Sequence, residues 1–178
     1  MPIVQAGAIQ LEYFDVGHGD RTVVLVHGAS SSARIWHTVQ ELLAAAGVRA
    51  VAIGMRGAGA SHRSNDPNEY NSETYGNDLA APLVQLEIQR FSLVGHSLGV
   101  RNAAYFMRDH ASGFDVQSVI LMAGGDLSGR QAPTAEELSS LDESLRNPPN
   151  DEASRRAAWE PLHTGLPSEA RDALWQDI

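Results

Sequence analysis

The sequence Phe91-Ser92-Leu93-Val94-Gly95-His96-Ser97-Leu98-Gly99 decides the fold of this chain. Its first four residues form an apolar run typical of a buried β-strand, and residues 95–99 follow the pattern Gly-x-Ser-x-Gly. Ala103–Met107 then continue with helix-forming side chains. A serine on a sharp turn from strand to helix is held in a strained conformation, and small residues two positions away let neighbouring chain approach. Because the start of the helix points free N–H groups at this turn, the pattern predicts that Ser97 is a nucleophile.

Other apolar runs along the chain have the same strand character. They are Thr22–Val26, Ala50–Ile53 and Val119–Met122, and residues 3–16 add two short antiparallel strands. Segments with apolar residues at helical spacing lie between the runs and span Ala33–Ala46, Ser72–Gln89 and Leu98–His110. Strand, helix and strand in this order predict an α/β fold with a mostly parallel sheet and helices on both of its faces.

The end of an earlier strand carries a second candidate element, His27-Gly28-Ala29-Ser30. A serine nucleophile needs two backbone N–H groups that stabilise the negative oxygen of the reaction intermediate. We predict that Leu98, directly after the serine, and Ala29 supply these groups as an oxyanion hole. His27 is expected to support their loop through hydrogen bonds. The alternative is an ordinary turn at the end of a strand.

Composition excludes several classes of chemistry. The 178 residues contain no cysteine, so a thiolate nucleophile, a disulfide framework and cysteine metal sites are impossible. All 13 basic residues are arginine, which excludes a Schiff-base lysine. A formal net charge of -9 disfavours binding to nucleic acid or to an anionic membrane and leaves small neutral or apolar molecules as partners. The first residues lack the features of a signal peptide, so we expect a cytoplasmic protein.

Together these motifs resemble the serine branch of the α/β-hydrolase superfamily, which contains esterases, lipases, lactonases and carbon–carbon bond hydrolases. The resemblance covers residues 9–125 and includes Trp36 and the loop Arg56–Ser61. It implies hydrolysis of an ester, lactone or related carbonyl substrate through an acyl-enzyme, without a metal or organic cofactor. Epoxide and haloalkane hydrolases are disfavoured, since those relatives carry a carboxylate at the position of Ser97.

The sequence departs from the family's pattern at two positions and in its catalytic triad. Gly54-Met55 stands where relatives usually carry an Asp, and Val100 stands where a third small residue is common. In the triad an acid and then a histidine should follow the serine. Asp126 and His163 stand in that order, with a loop acid and a surface histidine as the alternatives. We therefore expect the catalytic histidine, and the acid if it is not Asp126, to come from a segment or chain beyond this sequence.

We expect residues 1–126 to form a hydrolase core with its first six strands, and residues 127–178 to form a helical cap or lid. Helix starts are predicted at Thr134, at Asn150 or Asp151, and at Ser168. Trp159 in the cap either lines an apolar pocket or packs inside the cap as an ordinary core residue. The predicted substrate-binding residues are His27, Ser30, Trp36, His96 and Trp159.

A parallel strand at Val119–Met122 without a neighbour on its outer side would expose an apolar edge, which proteins cover. We therefore expect a second polypeptide segment to complete the sheet. Two functions from different classes are open at this point. One is a serine hydrolase that acts on a small ester-like molecule, with acyl transfer or perhydrolysis as a variant. The other is a non-catalytic hydrolase-fold subunit that interacts with another chain.

Overall fold

The structure is a computed structural model that describes residues 2–124, 151–160 and 167–176. Its strands are β1 (Ile3–Ala6), β2 (Ile9–Val16), β3 (Arg21–Val26), β4 (Val48–Ile53), β5 (Arg90–His96) and β6 (Asp115–Met122). Its α-helices are α1 (His37–Ala45), α2 (Ser72–Gln85), α3 (Leu98–Asp109), α4 (Glu152–Trp159) and α5 (Ser168–Trp175). Short 3₁₀ turns precede α1 and α2 and follow α3.

The six strands form one sheet in the order β1-β2-β4-β3-β5-β6. The pairs β3–β4, β3–β5 and β5–β6 are parallel, and β1–β2 and β2–β4 are antiparallel. The chain therefore crosses over through a helical segment each time it returns to a parallel neighbour. This arrangement confirms the mostly parallel sheet and the two antiparallel strands predicted from the sequence.

The central strands bury both of their faces, as their continuous apolar runs predict. In β3, Val24 and Val26 point into the cluster that α2 and α3 cover, while Leu25 between them joins the cluster on the side of α1. The same alternation separates Ile53 from Ala52 in β4. Because side chains alternate with a period of two along a strand, each strand contributes to both cores.

Helix α2 ends earlier than the sequence predicts. The predicted helix reaches Gln89, but α2 ends at Gln85. Glu87 then adopts a positive φ of 55°, a left-handed conformation that no α-helix can continue through. Ile88 is buried against the core and leads the chain into β5.

Strand β6 lies at the edge of the sheet, as expected for the run Val119–Met122. Its one neighbour among the described residues is β5. The exposed fractions of Val119, Ile120, Leu121 and Met122 are 38%, 50%, 48% and 44%. An apolar strand edge of this kind is a surface on which another strand can add.

The chain divides into two compact units, residues 1–125 with 176–178, and residues 126–175. In the second unit the side chain of Asp151 accepts a hydrogen bond from the Ser154 amide at 2.7 Å, so the predicted start of α4 is confirmed. Arg156 of α4 forms an ion pair with Asp172 of α5. The predicted helix start at Thr134 lies outside the described residues. Within the described ranges, every helix is too short or too polar to span a membrane.

Candidate active site

Ser97 lies on the turn between β5 and α3, at the carboxyl end of a parallel strand. It is the N-cap residue of α3, with φ 53° and ψ -117°. This combination is strained for any residue with a side chain. The Ser97 amide donates a hydrogen bond to the carbonyl of Met122 at 2.9 Å, which fixes the turn against β6. The turn is therefore held in place by the sheet and leaves Ser97 half-buried.

Two glycines make room for this turn. A Cβ atom on Gly95 would lie 2.5 Å from the carbonyl oxygen of Gly99. A Cβ atom on Gly99 would lie 2.6 Å from the carbonyl oxygen of Val26 in β3. Real Cβ atoms do not approach backbone oxygens so closely, so both positions require glycine. This is the close approach expected from the Gly-x-Ser-x-Gly pattern.

The bulkier Val100, which departs from the family's pattern, is accommodated by a glycine elsewhere. Val100 is buried in the first turn of α3. A Cβ atom on Gly124 would lie 2.6 Å from Val100 Cγ1. The branched side chain therefore occupies the space that a larger residue at position 124 would need.

A cavity of about 300 Å³ lies beside the turn, within the first compact unit. Most of its wall is formed by the loop after β3, the loop after β4 and the start of α3. The residues that line it are His27, Gly28, Ala29, Ser30, Ser31, Met55, Arg56, Gly57, Ala58, Tyr70, Tyr75, Leu98 and Asn102. Ser97 does not itself line this cavity. It lies directly behind Gly28, which does line the cavity. The two residues are so close that a Cβ atom on Gly28 would lie 2.8 Å from Ser97 Cβ.

The two predicted oxyanion-hole residues both line this cavity. Leu98 is the first residue of α3, so its N–H has no carbonyl acceptor within the helix. The positive end of the helix dipole lies at the same point. Ala29 is exposed in the loop after β3 and lines the same cavity.

His27 holds the loop after β4 against the loop after β3. The Met55 amide donates to His27 Nε2 at 3.0 Å, so Nδ1 carries the proton and donates to the Gly28 carbonyl at 2.8 Å. Burial lowers the pKa of His27 from 6.5 to about 4, against the smaller opposing effect of the Gly28 hydrogen bond. The imidazole is therefore neutral at pH 7 and has both nitrogens occupied.

Gly54-Met55, the other departure from the family's pattern, is fixed by polar contacts of its backbone. The Gly54 carbonyl accepts from Ser61 Oγ at 2.7 Å, and the Gly54 amide donates to the Glu12 carbonyl at 2.8 Å. A Cβ atom on Gly54 would lie 3.0 Å from Ser61 Oγ. An aspartate at position 54 would require the serine to move.

Arg56 lines the cavity as part of a buried ionic cluster. Its Nε and Nη2 atoms donate to the two carboxylate oxygens of Asp78 at 2.6 and 2.8 Å, and its Nη1 donates to Glu69 at 2.9 Å. The exposed fractions of the Arg56 and Asp78 side chains are 9% and 6%. The hydrogen bonds to Asp78 raise the pKa of Arg56 further above its ordinary value. The guanidinium therefore stays charged, and its charge is balanced by the carboxylates of Asp78 and Glu69.

The family model of the alpha/beta hydrolase fold matches residues 21–175. This chain belongs to the alpha/beta hydrolase fold family. A putative non-heme chloroperoxidase from Synechocystis is 32% identical to this chain over 128 residues, which cover 69% of this chain and 45% of that protein. A 2-hydroxy-6-oxononadienedioate/2-hydroxy-6-oxononatrienedioate hydrolase from Paraburkholderia xenovorans is 34% identical to this chain over 125 residues. These residues cover 67% of this chain and 41% of that protein.

This chain also shares its fold with an esterase of known structure from Exiguobacterium antarcticum. That structure matches with a TM-score of 0.78 and 20% sequence identity, over 98% of this chain and 66% of the esterase. The chain spans less than half the length of the two curated relatives named above. At this level of identity the structural match supports the fold, and the relatives support membership of a family of hydrolytic enzymes.

The other predicted substrate-binding residues of this chain have different positions. Ser30 lines the cavity, in a left-handed conformation with φ 51°. Trp36 and His96 are absent from its walls and contact each other edge to face, with ring centroids 6.3 Å apart. Trp159 ends α4 in the second unit, and its side chain lies outside the described residues, as do the candidate acid Asp126 and the candidate base His163.

The cavity wall also contains Ser31, Tyr70, Tyr75 and Asn102, which sequence reasoning did not assign to the site. One signal was available for Asn102. It follows Leu98 by four residues, which places both on the same face of α3. The tyrosines carry no such signal, because their place in the wall depends on how the loop after β4 returns to α2.

Proposed function

We propose that this alpha/beta hydrolase is a serine hydrolase that cleaves a small ester, lactone or related carbonyl compound through an acyl-enzyme. One observation carries the proposal. Ser97 occupies a strained turn at the start of α3, next to a cavity whose walls include Leu98 and Ala29. A strained serine beside two backbone donors fits attack on a carbonyl carbon.

In this mechanism Ser97 Oγ attacks the carbonyl carbon while a base removes its proton. The carbonyl oxygen becomes negative and accepts hydrogen bonds from the Leu98 and Ala29 amides, next to the positive end of α3. Collapse of this intermediate releases the alcohol, which takes the proton from the base. Water then repeats the sequence on the acyl-enzyme and releases the acid, and Ser97 regains its proton.

The charges around the cavity favour a neutral substrate. Arg56 is the one cationic side chain among the described residues that line the cavity, and its guanidinium is hydrogen-bonded to Asp78 and Glu69. A substrate carboxylate would have to compete with these two carboxylates for the same cation. We therefore propose that this cavity binds uncharged acyl groups and does not bind the carboxylate groups of dicarboxylate substrates.

The base and acid of the triad are proposed to come from outside the described residues. His27 cannot serve, because both of its nitrogens are hydrogen-bonded within the loops. Among residues 2–124 no histidine nitrogen bonds the Ser97 hydroxyl. A strand-bearing segment that adds to the exposed edge of β6 would bring a histidine and an acid close to Ser97, since Ser97 is bonded to that strand.

The alternative is a hydrolase-fold subunit that binds a partner and catalyses nothing. The same two observations favour it: the exposed apolar edge of β6 and the absence of a base bonded to Ser97 among the described residues. It differs from the main proposal in one respect. A non-catalytic subunit does not require a reactive serine hydroxyl, whereas a serine hydrolase requires one for turnover.

The test is a comparison of Ser97→Ala with Ser112→Ala, an exposed serine in the turn after α3. In the full-length protein we expect Ser97→Ala to lower hydrolysis of p-nitrophenyl acetate by at least about a thousandfold. Labelling of the protein by a fluorophosphonate probe should disappear as well. Ser112→Ala should change neither readout. Turnover and labelling that persist in Ser97→Ala would remove this serine from the mechanism, and a full-length protein without either would favour the non-catalytic subunit.

A further inference from the structure

Two side chains in the cavity wall carry a buried polar atom that no described residue satisfies. Asn102 in α3 is 1% exposed, and its Oδ1 atom has no hydrogen-bond partner among the described residues. Ser31 in the loop after β3 is 6% exposed, and its Oγ atom likewise has none. Both residues line the cavity beside Ser97. Buried polar groups in proteins are almost always hydrogen-bonded, so each of these atoms requires an explanation.

The neighbouring polar side chains of the wall differ, because the protein itself satisfies them. His27 bonds Gly28 and Met55 through its two nitrogens. The Tyr70 hydroxyl donates to the Ser64 carbonyl at 2.8 Å and accepts from the Ser64 amide at 2.6 Å. Arg56 is bonded to two carboxylates, as described above. The buried, unsatisfied side-chain atoms of the wall are therefore those of Asn102 and Ser31.

We infer that Asn102 and Ser31 form a polar subsite that binds a hydroxyl group on the acyl part of the substrate. This inference rests on the proposed function, in which the acyl group occupies the cavity beside Ser97. The Asn102 amide oxygen accepts a hydrogen bond, and the Ser31 hydroxyl both donates and accepts. A hydroxyl on the substrate can donate to the Asn102 oxygen or pair with the Ser31 hydroxyl, whereas a plain hydrocarbon chain leaves both atoms unsatisfied.

The position of Asn102 relative to the oxyanion hole supports this role. It lies one helical turn beyond Leu98 on the same face of α3, so both residues line the cavity from the same side. The carbonyl group bound at the start of the helix and the hydroxyl bound one turn later would belong to the same small molecule. A cavity of about 300 Å³ is at the lower limit of known ligand pockets, which fits a short acyl chain.

The first experiment measures binding without chemistry. Methyl butanoate and its 2-, 3- and 4-hydroxy derivatives are titrated by NMR into the Ser97→Ala protein. We expect at least one hydroxy ester to bind about tenfold more tightly than methyl butanoate. Adding Asn102→Leu, which keeps the size of the side chain, should reduce that ratio to about one. Adding Asn77→Leu should leave the ratio unchanged, because this helical asparagine lies in α2 and bonds His110.

The second experiment measures turnover in the full-length protein with Ser97 present. The ratio of kcat/KM for the preferred hydroxy ester to that for methyl butanoate should fall about tenfold in Asn102→Leu. Because both esters are measured in the same protein, a general loss of activity in the variant cancels from this ratio. If turnover is absent but the binding preference persists in the first experiment, the proposed function fails and the subsite stands. If turnover is present but the ratio is the same in Asn102→Leu, the subsite is wrong and the function stands.

A stability measurement separates this role from a structural one. Because the Asn102 oxygen bonds no described residue, Asn102→Leu should not lower the melting temperature of the unliganded protein. A structural amide would give the opposite result, and a clear drop in melting temperature would overturn the assignment of Asn102. Should that variant fail to fold, Ser31→Ala carries the test, with the same loss of preference for the hydroxy ester. Equal binding of all four esters to the Ser97→Ala protein, with and without Ser31→Ala, would overturn the proposal as a whole.

Discussion

The two walls of the candidate active site are built on opposite principles. On the wall formed by His27 of the loop after β3 and Arg56 of the loop after β4, the polar side-chain atoms are bonded to neighbouring residues. On the wall formed by the start of α3 and by Ser31, the backbone of Ser97 is strained and two buried polar atoms have no partner among the described residues. The first wall resembles a protein core in this respect. The second wall has the strained backbone and unsatisfied polar atoms that are typical of ligand-binding sites.

This difference separates residues that stabilise the fold from residues that act in it. A bonded, buried polar group contributes to stability, and its removal leaves a partner unsatisfied. A strained or unsatisfied group costs stability in the free protein and is retained where a ligand can use it. The bonded wall should therefore respond to mutation through unfolding. The unbonded wall should respond through activity and binding.

The largest expected effect on stability is that of Asp78→Ala in the bonded wall. This change removes both acceptors of the Arg56 Nε and Nη2 atoms and leaves a nearly buried guanidinium with Glu69 alone. Breaking a buried ion pair from one side is strongly destabilising, so we expect the free energy of unfolding to fall by about 3 kcal/mol. Urea denaturation followed by circular dichroism measures it.

Asp109→Ala provides the matched control. Asp109 also forms two hydrogen bonds with an arginine, its neighbour Arg108, but this pair lies on the surface of α3. Exposed pairs contribute little, so we expect no measurable change in urea midpoint. Equal midpoints for Asp78→Ala and Asp109→Ala would mean that the buried cluster does not act as a scaffold.

A smaller effect is expected from the titration of His27. Its pKa is lowered to about 4 by burial, whereas in the unfolded chain it should lie near 6.5. Between these values the unfolded chain binds the proton and the native protein does not, so stability falls as the pH falls. From about pH 7 to about pH 4.5 this single group should lower the free energy of unfolding by about 2 kcal/mol.

The measurement is a set of urea denaturations across this pH range for the wild type, His27→Gln and His37→Gln. His27→Gln places an amide oxygen where Nε2 accepts from Met55 and removes the titrating group, so its pH dependence should be shallower. His37 lies exposed at the start of α1, and its variant should keep the slope of the wild type. A His27→Gln protein with the wild-type slope would show that other groups cause the acid sensitivity.

The sequence was sufficient for the parts of the site that depend on local pattern. Gly95, Ser97 and Gly99 specify the strained turn by themselves, because the close approaches they permit involve the backbone of adjacent strands and of the turn itself. The apolar runs that form β3–β6 are short and continuous, and this pattern is typical of strands buried on both faces. The order of elements then follows from the alternation of strands and helices.

The bonded wall could not be predicted in the same way. Arg56 and Asp78 are separated by 22 positions and meet because the loop after β4 folds back along α2. His27 and Met55 are 28 positions apart, and their hydrogen bond joins two loops at the ends of adjacent strands. Neither pair has a spacing that a helix or strand period would reveal. Trp36 was expected at the substrate by resemblance, yet it packs against His96 because the turn before α1 directs it to the core on that face.

The smallest effect should come from relieving the strain at the nucleophile with Ser97→Gly. At φ 53° and ψ -117° the serine Cβ is unfavourable, whereas glycine adopts this conformation without penalty. Since glycine also makes the unfolded chain more flexible, the net gain in the free energy of unfolding should be about 1 kcal/mol. Ser97→Ala keeps the Cβ atom and therefore the strain, so it should match the wild type in stability. Urea denaturation of the three proteins side by side tests this prediction. A glycine variant that is no more stable than the alanine variant would mean that the turn stores no strain. The contrast between the two walls would then rest on the unsatisfied atoms of Ser31 and Asn102 alone.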